Sequence, residues 1–231
     1  MITNVLTCVG DRHAATAPRQ TTMTTSTPSA LHRQVALLRA ARLPLLIAAL
    51  CIALAAGGES VQALLRYDRQ LILEGQVWRL LSAHLVHLGW SHLWLNLGGL
   101  ALVWALVGER FSERSWLVVL LIDALVTGLG LLILNPDLRW YVGLSGVLHG
   151  LLVAGIVADL RLGLRGAWLL LALLALKLGW EQLAGPLPGS AASAGGRVIV
   201  DAHLYGALGG LLMGLVLPLR RPPQASPSRS R

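Results

Sequence analysis

Charged side chains are scarce in this sequence. Asp, Glu, Lys and Arg make up 13% of its 231 residues, whereas about 25% is usual in soluble globular domains. Hydrophobic residues make up 55%, and the mean hydropathy is +0.66. The shortage of charge excludes an ordinary soluble domain and indicates that lipid surrounds most of the chain.

Cysteine is also scarce, and basic residues do not cluster. Cys8 and Cys51 are the two cysteines, which cannot build a disulfide framework and lack the spacing of zinc ligands. The net charge is +8, but the basic residues lie in short stretches between apolar runs. These observations exclude a disulfide-rich domain, a structural zinc site and a nucleic-acid partner, and they leave the lipid bilayer as the predicted partner.

Six apolar segments predict an all-α membrane protein with six transmembrane helices. Several segments are shorter than the roughly 20 residues that usually cross a bilayer. The predicted segments are residues 43–57, 92–108, 116–134, 144–158, 166–182 and 202–219.

The flanking residues predict the domain limits and the orientation. We expect residues 1–30, rich in Thr, Ala, Ser and Pro, to form a disordered cytoplasmic tail, 31–219 the membrane domain and 220–231 a basic cytoplasmic tail. With both termini in the cytoplasm, 13 of the 18 arginines lie on the cytoplasmic side, as the positive-inside rule requires. Segments 2, 4 and 6 then enter the membrane from the outer face.

Four polar side chains lie near the outer ends of those three segments: His92 and Asn96, Ser145, and His203. From Ser145 to residue 158 the fourth segment is roughly 21 Å long at about 1.5 Å per residue, shorter than the roughly 30 Å hydrocarbon core. Ser145 is therefore predicted to lie below the outer surface, at the floor of a water-filled pocket.

This set of side chains suits nucleophilic catalysis. A serine hydroxyl needs a base, for which His203 is available, and donors for the oxyanion, which His92 and Asn96 supply from one helix face. Gly143 and Gly146 around the serine permit a tight turn and a close approach of substrate. The alternative for the serine alone is a hydrogen bond to its own helix or a neighbouring one.

Three motifs on alternate segments resemble those of the rhomboid family of intramembrane serine proteases. The resemblance covers about residues 43–219, and the order of the motifs makes it specific. The motifs are "HLVHLGWSHLWLN" with His87, His92 and Asn96, "GLSG" at 143–146 and "AHLYGALGG" at 202–210, together with "WR" at Trp78–Arg79 in the first outer loop.

The resemblance implies a six-transmembrane-helix rhomboid-like bundle and a Ser145–His203 dyad with no acidic third member. It also implies an oxyanion hole formed by His92, Asn96 and the backbone N–H of Ser145. No metal or organic cofactor is implied.

The stretches "YVGLSGVLHGLL", "KLGWEQLAG" and "VIVDAHLYGALGG" resemble the rhombosortase subgroup. That resemblance implies cleavage of membrane-anchored proteins near a C-terminal Gly-Gly-containing anchor, on the periplasmic side of the bacterial inner membrane. Glycines weaken a substrate helix, which makes an extended peptide easier to form.

Other residues receive supporting roles. His149 stands where many rhomboids carry an aromatic residue. Three roles are open for it: a spacer that packs on the catalytic histidine, a second titrating group, or a rival base. Gly206 and Gly210 belong to a small-residue stripe that lets segment 6 approach segment 4. Lys177 and Glu181 are either a structural ion pair or act in gating or substrate binding.

The first outer loop carries further candidates. Trp78 and Arg79 fit an interfacial anchor whose short helix lies in the headgroup layer. His84 and His87 mimic a two-histidine metal spacing, but no H-E-x-x-H motif is present. We expect His87 to make hydrogen bonds within the loop.

Two other functions remain open at this point. One is a catalytically inactive rhomboid-like protein that binds membrane clients. The other is a small proton-coupled transporter whose relay uses His92, His149, His203 and Asp123.

Overall fold

The computed structural model describes residues 41–220, which form long helices joined by short helices and loops. The predicted N-terminal tail, and all but the first residue of the predicted C-terminal tail, lie outside the described residues. In chain order the elements are α1 (Arg42–Ala56), α2 (Gly58–Leu65), β1 (Tyr67–Asp68), α3 (Arg69–Leu73), α4 (Arg79–Ser82), a 3₁₀ turn (Ala83–Leu85), α5 (Trp90–Val107), α6 (Glu113–Leu134), β2 (Trp140–Tyr141), α7 (Ser145–Arg161), α8 (Gly166–Ala184), α9 (Ser190–Ala194) and α10 (Val200–Val216).

Each predicted apolar segment coincides with one of the long helices α1, α5, α6, α7, α8 and α10. Within residues 41–220, α5, α6 and α8 are long and apolar enough to cross a membrane by themselves. A fourth crossing results if α1 and α2, bent by 117° at their junction, count as one span. The mostly helical, multi-pass membrane architecture follows, while the count of six crossings stays a prediction.

Helix α7 lies at the centre of the bundle. Most of its residues are buried, and its neighbours are α5, α6, α8 and α10. Helix α8 lies at the edge, with Ala167, Leu174 and Glu181 as its buried residues. Its remaining surface is largely exposed leucine, tryptophan and alanine, as expected of a face turned toward lipid.

Helices α7 and α10 pack with their backbones in contact. A β-carbon on Gly206 would overlap the carbonyl oxygen of Gly146, and one on Gly210 would overlap the carbonyl oxygen of Gly150. Without side chains at these positions the two helices approach more closely than leucine-rich helices can. This contact fixes the spacing between the start of α7 and the start of α10.

The segment before α7 turns into the protein, which encloses its irregular backbone. Strand β2 pairs antiparallel with β1, with Tyr67 opposite Tyr141. The amide of Gly143 donates to the carbonyl of Ala83 over 3.0 Å, and residues 141–144 are all buried. Non-helical backbone at membrane depth is tolerated in such an enclosed position.

Arg79 is buried in the segment between α2 and α5. Its side chain is 3% exposed and donates to the carbonyl oxygens of Ala63 and Arg66 at 2.9 and 2.8 Å. Arg79 therefore binds the carbonyl end of α2, because a guanidinium satisfies unpaired helix-end carbonyls. The interfacial position of this segment stays a prediction. The adjacent Trp78 is half exposed.

The opposite end of the bundle carries its own charge pairing. Arg110, in the turn after α5, pairs with the buried carboxylate of Asp159 on α7. Arg161 donates to the carbonyls of Gly214 and Leu217 at 2.7 and 2.8 Å. These contacts tie the ends of α5, α7 and α10 together.

The glycine contact predicts the effect of one added methyl group. We expect Gly206→Ala to lower the free energy of unfolding by about 1–3 kcal/mol, because overpacking outweighs the better helix propensity of alanine. Thermal unfolding in detergent measures the change. Gly98→Ala is the matched control, since a β-carbon there meets open space on exposed α5 surface. Equal melting temperatures for the two variants would contradict the packing argument.

Candidate active site

Ser145 is the first residue of α7, at the end of the buried segment. Gly143 precedes it with φ of +123°, a conformation that side-chain-bearing residues rarely adopt. The phenolic O–H of Tyr141 donates to the carbonyl of Gly143 over 2.7 Å. Ser145 thus lies where the first amides of α7 have no partner within the helix.

His203 meets Ser145 from the first turn of α10. Its Nε2 lies 3.0 Å from the Oγ of Ser145, and its side chain is buried. The contact exists because the carbonyl of Gly146 fits against Gly206, one turn after His203. A nucleophile and a base are therefore within hydrogen-bonding distance of each other.

Helix α8 adds a carboxylate and an ammonium to this pair. The Oε2 atom of Glu181 lies 2.9 Å from Nδ1 of His203. The Nζ of Lys177 donates to the same Oε2 atom over 2.7 Å. The ion pair considered from the sequence is present. Its acidic member also contacts His203, whereas the resemblance implies a dyad with no acidic third member.

His149 closes the arrangement on the other side. Its ring stacks on that of His203, with centroids 4.2 Å apart and planes 17° apart. Its Nδ1 lies 2.7 Å from the carbonyl oxygen of Ser145, and its Nε2 lies 2.7 Å from Nζ of Lys177. Both nitrogens are occupied, so this geometry is that of a spacer and not of a base for the serine.

Charge and donor counting fix the tautomers of both histidines. An ammonium only donates, so Nε2 of His149 accepts from Lys177, and its Nδ1–H donates to the carbonyl of Ser145. A carboxylate only accepts, so Nδ1–H of His203 donates to Glu181. Nε2 of His203 then carries a lone pair and accepts the hydroxyl proton of Ser145.

His92 and Asn96 lie on one face of α5 beside the serine. The Nδ1 of His92 accepts from the amide of Leu88 over 3.3 Å, which leaves Nε2 as the protonated nitrogen. The Nδ2 of Asn96 donates to the carbonyl of His92 over 3.0 Å and keeps a second amide hydrogen. Both side chains line the cavity that also contains Ser145.

Two cavities reach this group. One, of about 500 Å³, is lined by Ser145 and His92 together with Arg139, Trp140 and Arg197 from the outer segments. The other, of about 320 Å³, lies between α5 and α8. Its lining includes His92, Asn96, Ser145, His149, Lys177, Glu181 and His203.

His84 and His87, which precede α5, have no hydrogen bond to Ser145 or His203 within residues 41–220. The ring of His87 packs edge-on against His92, with centroids 5.2 Å apart, while its backbone carbonyl accepts from Gln62. Burial, and to a smaller extent the neighbouring His92, lowers the pKa of His87 to about 3, so its ring is neutral. The Nε2 of His84 lies 3.0 Å from the carbonyl of Ala124.

A metal ion has one conceivable location among residues 41–220. Ligand atoms of His149, Glu181 and His203 lie within 4.8 Å of one another. The ammonium of Lys177 lies 2.7 Å from both Glu181 and His149, where a bound cation would be repelled. The local charge therefore disfavours a metal here.

Asp123 does not join the histidine cluster. Its carboxylate lies against Gly150 and Gly209, and it has no hydrogen-bond partner in the described part of the chain. A relay that combines the histidines with Asp123 lacks a continuous connection.

A family model described as Rhomboid domain matches residues 74–220, which is well over half of the chain. The chain belongs to the rhomboid family. Rhomboid proteins are generally intramembrane serine proteases. The comparison with curated proteins gives no match.

The contact between Glu181 and His203 in this rhomboid is the feature that sequence reasoning missed. A usable signal was present, because Lys177 and Glu181 are charged residues in an otherwise apolar helix, and such residues commonly mark a functional site. The direction in which α8 turns them cannot be read from the sequence.

Gly143 provides a test of the oxyanion geometry. A β-carbon there would lie 2.6 Å from Cε1 of His92. Loss of one oxyanion donor lowers rates about 10²–10³-fold, so we expect Gly143→Ala to slow labelling of Ser145 by a fluorophosphonate probe at least tenfold. Gly163→Ala is the control, because Gly163 has a positive φ with open space around it. Equal labelling of both variants would show that displacing His92 has no effect.

Proposed function

We propose that this rhomboid is an intramembrane serine endopeptidase in which Ser145 is the nucleophile and His203 the general base. The observation that carries the proposal is the 3.0 Å distance between Ser145 Oγ and His203 Nε2. A weak serine nucleophile needs such a base to accept its proton during attack. The family membership supports the same reaction class.

The reaction proceeds through an acyl-enzyme. Ser145 Oγ bonds to the scissile carbonyl carbon while its proton passes to His203 Nε2. The oxyanion accepts from Nε2–H of His92, the second amide hydrogen of Asn96 and the backbone N–H of Ser145. The C–N bond then breaks as His203 returns the proton to the leaving amine. Water activated by His203 hydrolyses the ester and regenerates Ser145.

One cavity would admit water to Ser145, and the other would admit the substrate. The larger one, with Arg139 and Arg197 in its lining, gives water a polar route to Ser145. The smaller one opens between α5 and α8 toward the exposed apolar faces of these helices, where a membrane-anchored substrate can approach. An enclosed site of this kind keeps hydrolytic water at membrane depth.

Single substitutions test the nucleophile and the base. We expect Ser145→Ala and His203→Ala each to abolish cleavage of a membrane-anchored reporter, with a fall of about 10³-fold or more, while expression is unchanged. Fluorophosphonate labelling should disappear in Ser145→Ala. Ser193→Ala, which changes an exposed serine on α9, is the control and should remain labelled. Wild-type cleavage by Ser145→Ala would sink the assignment; absence of labelling in all variants would favour client binding or transport.

We further propose that the enzyme is a rhombosortase. It would cleave bacterial proteins near a C-terminal Gly-Gly-containing membrane anchor, on the periplasmic side of the inner membrane, with its own termini in the cytoplasm. The motifs around Ser145 and His203 support this assignment, and the distribution of arginines supports the orientation. Paired glycines favour an extended peptide, which is the conformation that a serine protease attacks.

The substrate proposal predicts a dependence on glycine. Replacing Gly-Gly by Ala-Ala in the anchor stabilises the substrate helix by about 2 kcal/mol, so we expect cleavage to fall roughly 30-fold. Mass spectrometry of the new C-terminus gives the cleavage position and distinguishes hydrolysis from transfer to an amine. The control substrate keeps Gly-Gly and has two residues deeper in the anchor replaced by Ala-Ala. Equal cleavage of the two substrates would contradict the Gly-Gly preference.

A further inference from the structure

We propose that Glu181 is a positioning residue for His203, so that this rhomboid operates a Ser145–His203–Glu181 triad with Lys177 as the counter-ion of the acid. The inference deepens the proposed function and rests on it. It adds to the serine–histidine pair a carboxylate from a third helix.

The first support is the choice of tautomer. His203 accepts the proton of Ser145 only if Nδ1 is already protonated. Glu181 Oε2 lies 2.9 Å from Nδ1 and accepts a hydrogen bond from Nδ1–H. Lys177 Nζ, at 3.4 Å from the same nitrogen, would favour the opposite tautomer as a donor. The closer carboxylate therefore selects the form of His203 that can act as a base.

The second support is the burial of Glu181. Its side chain is 3% exposed, whereas the side chain of Lys177 is 27% exposed. Glu181 continues the buried stripe of α8 at seven-residue spacing from Leu174, so it faces the bundle and not lipid. A buried carboxylate is costly unless it is paired. Lys177 supplies the pair and His203 the second hydrogen bond.

The third support is the change of charge during catalysis. When His203 takes the serine proton it becomes an imidazolium. The carboxylate of Glu181 stabilises this cation without itself taking the proton, as the acid does in serine-protease triads. His149, stacked on the other side of the same ring, prevents His203 from rotating away. Glu181 thus acts through His203 and touches no reacting atom.

The decisive experiment is a double-mutant cycle on the full-length enzyme with a membrane-anchored reporter. We expect Glu181→Gln to lower kcat about 10²-fold or more and to leave KM within about twofold, because the tautomer is no longer fixed. Glu181→Asp keeps the charge and should retain more activity than Glu181→Gln. Glu59→Gln removes an exposed carboxylate on α2 and should leave kcat unchanged.

The double variant Lys177→Met/Glu181→Gln separates positioning from charge balance. If the pair were merely structural, removing both charges would restore kcat to near the wild-type value. If Glu181 positions His203, the double variant stays as slow as Glu181→Gln. Restored activity in the double variant, or wild-type kcat in Glu181→Gln, would overturn the inference.

A spectroscopic measurement determines the tautomer of His203 in the wild-type protein itself. With ¹⁵N-labelled histidine, and His203→Gln to assign the signal, we expect His203 to carry its proton on Nδ1 at neutral pH. A proton on Nε2 would overturn the role of Glu181. Fluorophosphonate labelling of wild type that is lost in Ser145→Ala shows separately whether the proposed protease activity stands.

Discussion

The close contact between α7 and α10 is the constraint on which the site depends. Gly206 and Gly210 let the backbone of α10 approach the carbonyls of Gly146 and Gly150. The rows of glycine leave no room for a side chain, so the two helices have one register and one separation. Ser145 and His203 each lie in the first turn of their helix. The register of the two helices therefore determines the distance between the serine Oγ and the histidine Nε2. The distance between the serine hydroxyl and the imidazole is therefore set by backbone packing.

Near Ser145 and His203, the two charges that α8 contributes compensate each other. Lys177 and Glu181 neutralise each other, and the two stacked histidines use the remaining donors and acceptors. The hydrogen bonds form a continuous path from the hydroxyl of Ser145 through His203, Glu181, Lys177 and His149 back to the carbonyl of Ser145. A network in which each member is satisfied is rigid in a low-dielectric surrounding.

Hydropathy was sufficient to locate the long helices, because apolar runs between arginine-containing loops leave little choice of boundary. The predicted limits of the fourth segment, 144–158, differ from α7 (Ser145–Arg161) by a few residues. Motif order pointed to the rhomboid family, to which the chain belongs. The burial of Arg79 and the contact of Glu181 with His203 were missed, because both depend on helix rotation and loop path, which hydropathy does not encode.

Helix α8 buries few of its side chains in the bundle, and Glu181 is one of them. It also forms a wall of the cavity that opens between it and α5. Any outward swing of α8 that widens this cavity draws the carboxylate away from His203. If Glu181 positions His203 as proposed, an opened cavity and a correctly oriented base exclude each other. On that proposal, a membrane helix that only separates α8 from α5 would meet a serine whose base is not oriented, and cleavage would require the gap to close around the bound segment.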